Sequence, residues 1–231
     1  MIAPRIYKMN IKTLFFSITL SLLLLGCKAQ EVEISIKSSD LRKAISGENV
    51  SVEFEAELNL MGENNSETKA QLKEIEKIIE KYISVDEYDV TASDFGLDIK
   101  IEGELPLVYL LNEKMIQTVN SPWAMIISDN RSRGSLSRFS YKLTLSSASQ
   151  FDAFSGELNN INILLSPDRR QPMKLKLKRT GQDQLKIFTG GVEVDGETRV
   201  LYETDVEKRI SLTMKGGVYD RTPQVIYFSL K

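Results

Sequence analysis

The chain reads as an α+β protein: a mostly antiparallel β-sheet carrying one long helix, at about 66–83, and ending in a C-terminal β-meander. Three observations predict this. Apolar residues alternate with polar ones over 31–37 and over 50–60, the mark of half-buried strands. One stretch, 66–83, repeats its apolar residues at helical spacing instead. From Phe139 onward, short alternating segments follow one another between pairs of turn residues. Strands first interleaved with a helix and then run together place the chain in the α+β class.

In the first half, "EVEISIK" puts Val32, Ile34 and Ile36 on one face and Glu31, Glu33 and Ser35 on the other. "SSDLRKAI" is a short helix that Ser39 or Asp40 can cap. "VSVEFEAELNL" is the clearest strand: Val50, Val52, Phe54, Ala56, Leu58 and Leu60 oppose Ser51, Glu53, Glu55, Glu57 and Asn59. "GENN" breaks it, and Asn64 or Asn65 caps the long helix. Leu72, Ile75, Ile78, Ile79 and Tyr82 form that helix's apolar stripe, while its Glu and Lys residues compensate one another on the wet side.

"YDVTASDFGLDIKIEGEL" is a strand pair turning near Gly96. Residues 105–119 are dense in apolar residues, with Pro106 near the start, and periodicity does not choose between helix and strand there. "NSPW" at 120–123 is a break and a candidate subdomain boundary, and "WAMIIS" is a buried strand. The C-terminal strands are "FSYKLTLS", "MKLKLKR", "QLKIFT", "GVEV", "TRVLYE", "RISLTM" and "QVIYFSL". Thr180-Gly181, Gly190-Gly191, Asp195-Gly196 and Gly216-Gly217 read as the turns between them.

Composition narrows the chemistry. At 42% hydrophobic and 27% charged, the chain is globular rather than disordered. Its formal net charge of −2 argues against nucleic acid as a partner. There is no histidine, which removes His-based zinc sites and imidazole catalysis. No calcium-loop pattern is present, so no metal or cofactor is expected and no catalytic residue is assigned.

The single cysteine, Cys27, ends the most apolar run. Arg5, Lys8 and Lys12 precede an apolar segment from Leu14 to Leu25, and Gly26 comes just before the cysteine. That segment is shorter than the roughly 20 residues a helix needs to cross a bilayer, but it suits an export signal. Either Met1 or Met9 can serve as its start. Leu24-Leu25-Gly26-Cys27 resembles the lipobox of bacterial lipoprotein precursors. The resemblance implies cleavage before Cys27 and acylation of that residue. It divides the chain into a signal peptide (1–26), a lipid-anchored tether (27–30) and a globular domain (31–231). Lys28 is not the aspartate that retains such proteins in the inner membrane of enteric bacteria, so in a Gram-negative bacterium the resemblance implies an outer-membrane protein facing the periplasm.

Four constellations bear on function. Lys174, Lys176 and Lys178 line one face of a strand, flanked by Arg169, Arg170 and Arg179. They can meet anionic headgroups or a partner's acidic patch, shield an edge strand, or pair across strands with Glu53, Glu55 and Glu57. Arg131, Arg133 and Arg138 lie in the polar loop 128–138, where their guanidinium forks suit anions. Val108–Leu111, Met115, Ile116, Trp123 and Met125–Ile127 form either core or the wall of a lipid pocket. "SETK" (66–69), "SDN" (128–130) and "RTG" (179–181) follow the order of the serine β-lactamase and penicillin-binding motifs. That resemblance implies Ser66 as nucleophile, Lys69 as activator and Ser128 as proton carrier. Against it, Arg179 stands where that family has lysine, and strands replace its helical domain. The reading that follows is a membrane-anchored, non-catalytic binding module for an envelope protein or glycan, with lipid carriage and serine acylation as alternatives.

Overall fold

The computed structural model describes residues 32–61, 65–93, 96–162, 165, 167, 169, 172–214 and 224–231. In chain order the elements are β1 (Val32–Lys37), α1 (Ser38–Ile45), β2 (Val50–Met61), α2 (Ser66–Tyr82), β3 (Ser84–Ser93), β4 (Gly96–Tyr109), β5 (Trp123–Asp129), β6 (Tyr141–Ser147), α3 (Phe151–Ile161), β7 (Met173–Lys178), β8 (Leu185–Val194), β9 (Glu197–Asp205), β10 (Arg209–Met214) and β11 (Ile226–Leu230). Two 3-10 helices, Glu113–Thr118 and Gly134–Arg138, flank β5.

The sheet does not stay open. Its strands run in the order β10-β7-β1-β2-β4-β5-β6-β11-β8, and β8 pairs back to β10. The protein is therefore a closed nine-stranded β-barrel with β3 and β9 added outside it, not an α+β sheet with a helix across one face. Pairing is mixed, because β1–β7 and β4–β5 are parallel. The C-terminal strands also do not form a meander. β7 joins β1, β11 inserts between β6 and β8, and among the described residues only β8–β9 is a sequential hairpin there.

Closure has a local cause. Gly190-Gly191 is not a turn but a kink inside β8, with Gly191 at φ 62°. Positive φ is strained for a residue with a Cβ, so glycine can make the bend. Residues 185–188 then pair with β11, and residues 193–194 reach β10. The inward faces close around one core. Ile34 lies between Phe54 and Leu175 in the ladder, and Leu212 lies between Leu175 and Val194. Leu143 joins Ile127 to Ile226, and Ile187 opposes Phe228. All of these are buried. A ring of inward-facing strands buries these apolar side chains against one another, and the helices cover more of the core.

The helices cover the ends. α2 and α3 pack together where β1 begins, with the Tyr82 and Phe154 rings edge to face at 5.6 Å. Lys81 and Tyr82 both donate to Glu157, at 2.6 Å each. Asn65 is the N-cap of α2, accepting from the backbone N–H of Glu67 and Thr68. α3 departs from the nearly all-β pattern expected from Phe139 onward. Phe151, Phe154 and Leu158 do carry helical spacing, but Gly156 and two asparagines interrupt the segment with residues typical of loops.

The ambiguous segment 105–119 resolves as strand to Tyr109 followed by a 3-10 helix. Both faces are apolar because both are covered. Leu105 and Leu107 face the barrel, while Leu110, Ala124 and Ile126 form a second cluster outside with Val108, Ile116 and Val119. Residues 120–123 connect directly into β5, which pairs with β4.

α1 occupies the opposite end. Its N-cap is Lys37 rather than Ser39 or Asp40, and the Asp40 carboxylate accepts from the Lys37 backbone N–H at 2.9 Å. Ser38 is fully buried and turns elsewhere: its hydroxyl donates to Asp183 at 2.7 Å and accepts from the Thr180 backbone N–H at 2.8 Å. Arg42 also binds Asp183 and donates to the Lys231 carbonyl. The Ser38 hydrogen bond and Arg42 hold the Asp183 carboxyl below the usual aspartate range, against the opposing effect of burial. A depressed folded pKa gives stability that is present above the unfolded value, about 4, and is lost as pH falls through the folded value. Asp183→Asn is therefore expected to lower the thermal midpoint at pH 7, with the gap to wild type closing toward about pH 2. A gap that stays constant with pH would remove the charge from this account.

Candidate functional site

The structure separates the six predicted cations into neutralised and open groups. Lys174 and Lys176 both bind Glu33 of β1, Lys174 at 2.9 Å. Burial raises the Glu33 pKa, but these two lysines outweigh it and bring it below the usual range. β1 lies between β7 and β2, so the lysine row does not pair directly with Glu53, Glu55 and Glu57. Lys100 of β4 serves Glu55 instead, at 3.3 Å, and Lys37 lies 3.8 Å from Glu53. Lys178 stands in register between Lys37 and Arg209, a row of three cations on adjacent strands. Arg169 pairs with Asp152, and Arg170 lies outside the described residues, as does Cys27.

Among the arginines, Arg138 pairs with Glu203, which Lys186 also holds at 3.0 Å. Lys186, together with Arg138 and against burial, lowers the Glu203 pKa. Arg133 is exposed just before the second 3-10 helix and makes no capping hydrogen bond with its side chain. Arg131 differs from both. It lines a cleft of about 370 Å³ with Leu110, Leu111, Asn112, Ser128, Asp129 and Lys142.

The ladder builds this cleft. Ser128 opposes Lys142 and Asp129 opposes Tyr141 where β5 meets β6, and Ile127 meets Tyr109 on β4. The Tyr109 hydroxyl donates to Asp129 at 2.7 Å. That bond, with a smaller effect of burial, pushes the Tyr109 pKa up to about 12, so the phenol keeps its proton at neutral pH. Asp129 is thus engaged as an acceptor. Neither Arg131 nor Lys142 forms an ion pair among the described residues; the Lys142 ammonium sits 5.8 Å from the Tyr227 ring centroid. The cleft offers two cations and the polar groups of Asn112 and Ser128. Arg131 was visible in the sequence. Lys142 and Asn112 were not, and Tyr109 stood out only as part of the apolar run Val108–Leu111, because only the β4-β5-β6 register brings them together here.

The remaining candidates are placed apart. Ser66 lies on the exposed first turn of α2, five residues after Met61, which opposes Gly96. Ser128 adjoins Ile127, which opposes Tyr109 at the other end of β4. That is roughly 40 Å of strand. Arg179-Thr180-Gly181 surrounds Ser38 instead, through Thr180. Between the barrel and its two covering helices is an apolar cavity of about 60 Å³, lined by Val32, Ile79, Trp123, Phe154 and Leu158 among others. Met125 lies in the core and not in that wall. A groove of about 430 Å³ on the outer wall gathers Glu33, Glu53, Glu55, Asp86 and Glu102. No cluster of His, Cys, Asp or Glu suited to a metal occurs among the described residues.

No known protein-family model matches the chain, and no curated protein is significantly similar to it.

Proposed function

We propose that this chain is a lipid-anchored envelope protein that binds an acidic glycan in the Arg131 cleft. The observation that carries this reading is the pair of cations, Arg131 and Lys142, which form no ion pair among the described residues and outnumber the one carboxylate, Asp129, in a concave polar site, while Lys174, Lys176 and Arg138 are neutralised. Asn112 and Ser128 add the neutral donors and acceptors that sugar hydroxyls require. The cleft lacks the broad apolar floor that an amphipathic helix needs.

Position supports the reading. Acylation at Cys27 would leave only residues 28–31 before β1, a reach of roughly 14 Å. β1 starts at the end covered by α2 and α3, and Arg131 follows β5 at the other end. The ladder from Ile101, level with Val32, up to Tyr109 gives about 25 Å of strand between them. The cleft therefore faces away from the bilayer, into the periplasm if the anchor is in the outer membrane. A cavity of about 60 Å³ favours this surface role over lipid carriage, because small-molecule sites begin near 300 Å³.

The test is calorimetric titration with an oligogalacturonate, which carries one carboxylate per sugar, against a neutral oligogalactose of equal length. Wild type is expected to prefer the acidic sugar by about tenfold, less at high salt, and Arg131→Ala to lose that margin. Equal binding of the two sugars, or a margin that survives in Arg131→Ala, would remove the assignment.

A further inference from the structure

Two strands lie outside the closed wall, and their free edges differ. Among the described residues β3 pairs only with β4 and β9 only with β8, so each presents there one side of unpaired backbone groups. β3 carries Asp86, Glu87 and Asp89 within four residues, and like charges there oppose pairing with another acidic strand. β9 has no such protection at its centre. Val200 and Leu201 are 81% and 69% exposed, the two most exposed large apolar side chains among the described residues. They sit opposite the Gly190-Gly191 kink of β8, which has no side chains to cover them.

The sequence of β9 is complementary to itself when reversed. Turned about Leu201 in antiparallel register, Leu201 meets Leu201 of a second copy. Val200 then meets Tyr202, Arg199 meets Glu203, and Thr198 meets Thr204. The inner pairs are apolar, which is favourable across strands; the next bring Arg199, which pairs with Glu197 in its own strand, beside Glu203, which Arg138 and Lys186 also hold. Only the outermost pair, Glu197 with Asp205, sets like charges together. Pairing β9 with the edge of β3 would instead bring two acidic strands together. We propose that β9 is a homodimerisation edge: two copies join by antiparallel β9–β9 pairing about a two-fold axis through Leu201. The contact is closed, so it yields a dimer and not a fibre. It leaves the Arg131 cleft out of the joint and does not depend on what that cleft binds.

The test is oxidative cross-linking of the full-length protein in the membranes of expressing cells. Cys27 is the only natural cysteine, so wild type gives the background of any link through that residue. Directly opposed residues in an antiparallel pair have Cα atoms about 4.5–5.5 Å apart, within reach of a disulfide. Leu201→Cys is expected to give a reducible dimer at least about fivefold above wild type. Val200→Cys and Val90→Cys, the latter on β3, are expected to stay near the background. Leu201→Lys, in otherwise wild-type protein, should turn a dimer into a monomer by native mass spectrometry from detergent. Equal cross-linking of Leu201→Cys and Val90→Cys, equal cross-linking of Leu201→Cys and Val200→Cys, or an unchanged mass for Leu201→Lys would each overturn the proposal.

Discussion

Gly103→Ala is expected to cost about 3 kcal/mol of stability and to lower the thermal midpoint by roughly 6–12 °C. Gly103 lies on β4 where β3 begins, at an irregularity in the β3–β4 register between Val85 and Glu87. A Cβ at this position would stand 2.1 Å from the Ser84 carbonyl oxygen and 3.1 Å from the Phe54 ring. The first contact is backbone and cannot swing away, and the second is a buried ring of the core. Relief requires β3 to peel from β4 or β4 to shift against β2, and either breaks ladder hydrogen bonds. Gly156→Ala is the matched control. Gly156 is on α3, and a Cβ there has nothing within 4 Å. That change should stabilise by about 0.5–1 kcal/mol, because alanine favours the helix. Thermal unfolding followed by circular dichroism separates the pair. If Gly103→Ala melts with wild type, the Ser84 carbonyl is free to move and the tight β3–β4 approach is not required.

Cys27→Ala is expected to move the protein almost entirely from the membrane fraction to the soluble fraction and to abolish labelling by palmitate. Each buried methylene adds about 0.8 kcal/mol of membrane affinity, and one acyl chain alone holds only weakly. Several chains on one cysteine would make release negligible, so the change is close to all or none. Among the described residues no helix is long and apolar enough to cross a membrane. Fractionation of expressing cells with metabolic labelling reads both effects. Unlabelled wild type, or a Cys27→Ala protein that still sediments with membranes, would overturn the anchor and with it the orientation of the Arg131 cleft.

Much of the local structure was legible because it depends on neighbours in sequence. The alternation of β1 and β2, the helix at Ser66–Tyr82 with its Asn65 cap, and the turn near Gly96 all follow from spacing within a few residues. The buried faces followed too, since Ile34, Phe54 and Leu175 sit on the apolar sides that their strands display. Of the candidate cations, the sequence supplied Arg131 but could not tell it from Arg138. Their difference is Glu203, a partner far along the chain that Arg138 reaches and Arg131 does not.

The sequence by itself determined the strands β1 and β2, the long helix α2, the apolar sides of each, and that no histidine chemistry is available, because each is fixed by composition or by near neighbours; it did not determine α3, the segment 105–119 or the course of β8 through Gly190-Gly191. Only the tertiary structure decided that the sheet closes, since closure depends on β10 meeting both β7 and a kinked β8 across long stretches of chain. It also decided which charges are neutralised. Glu33 draws in Lys174 and Lys176 because β1 pairs with β7, while Lys142 comes beside Arg131 only through the β5–β6 ladder. Strand pairing is a choice among many alternating segments with similar local patterns, and it is settled by burying all their apolar faces at once.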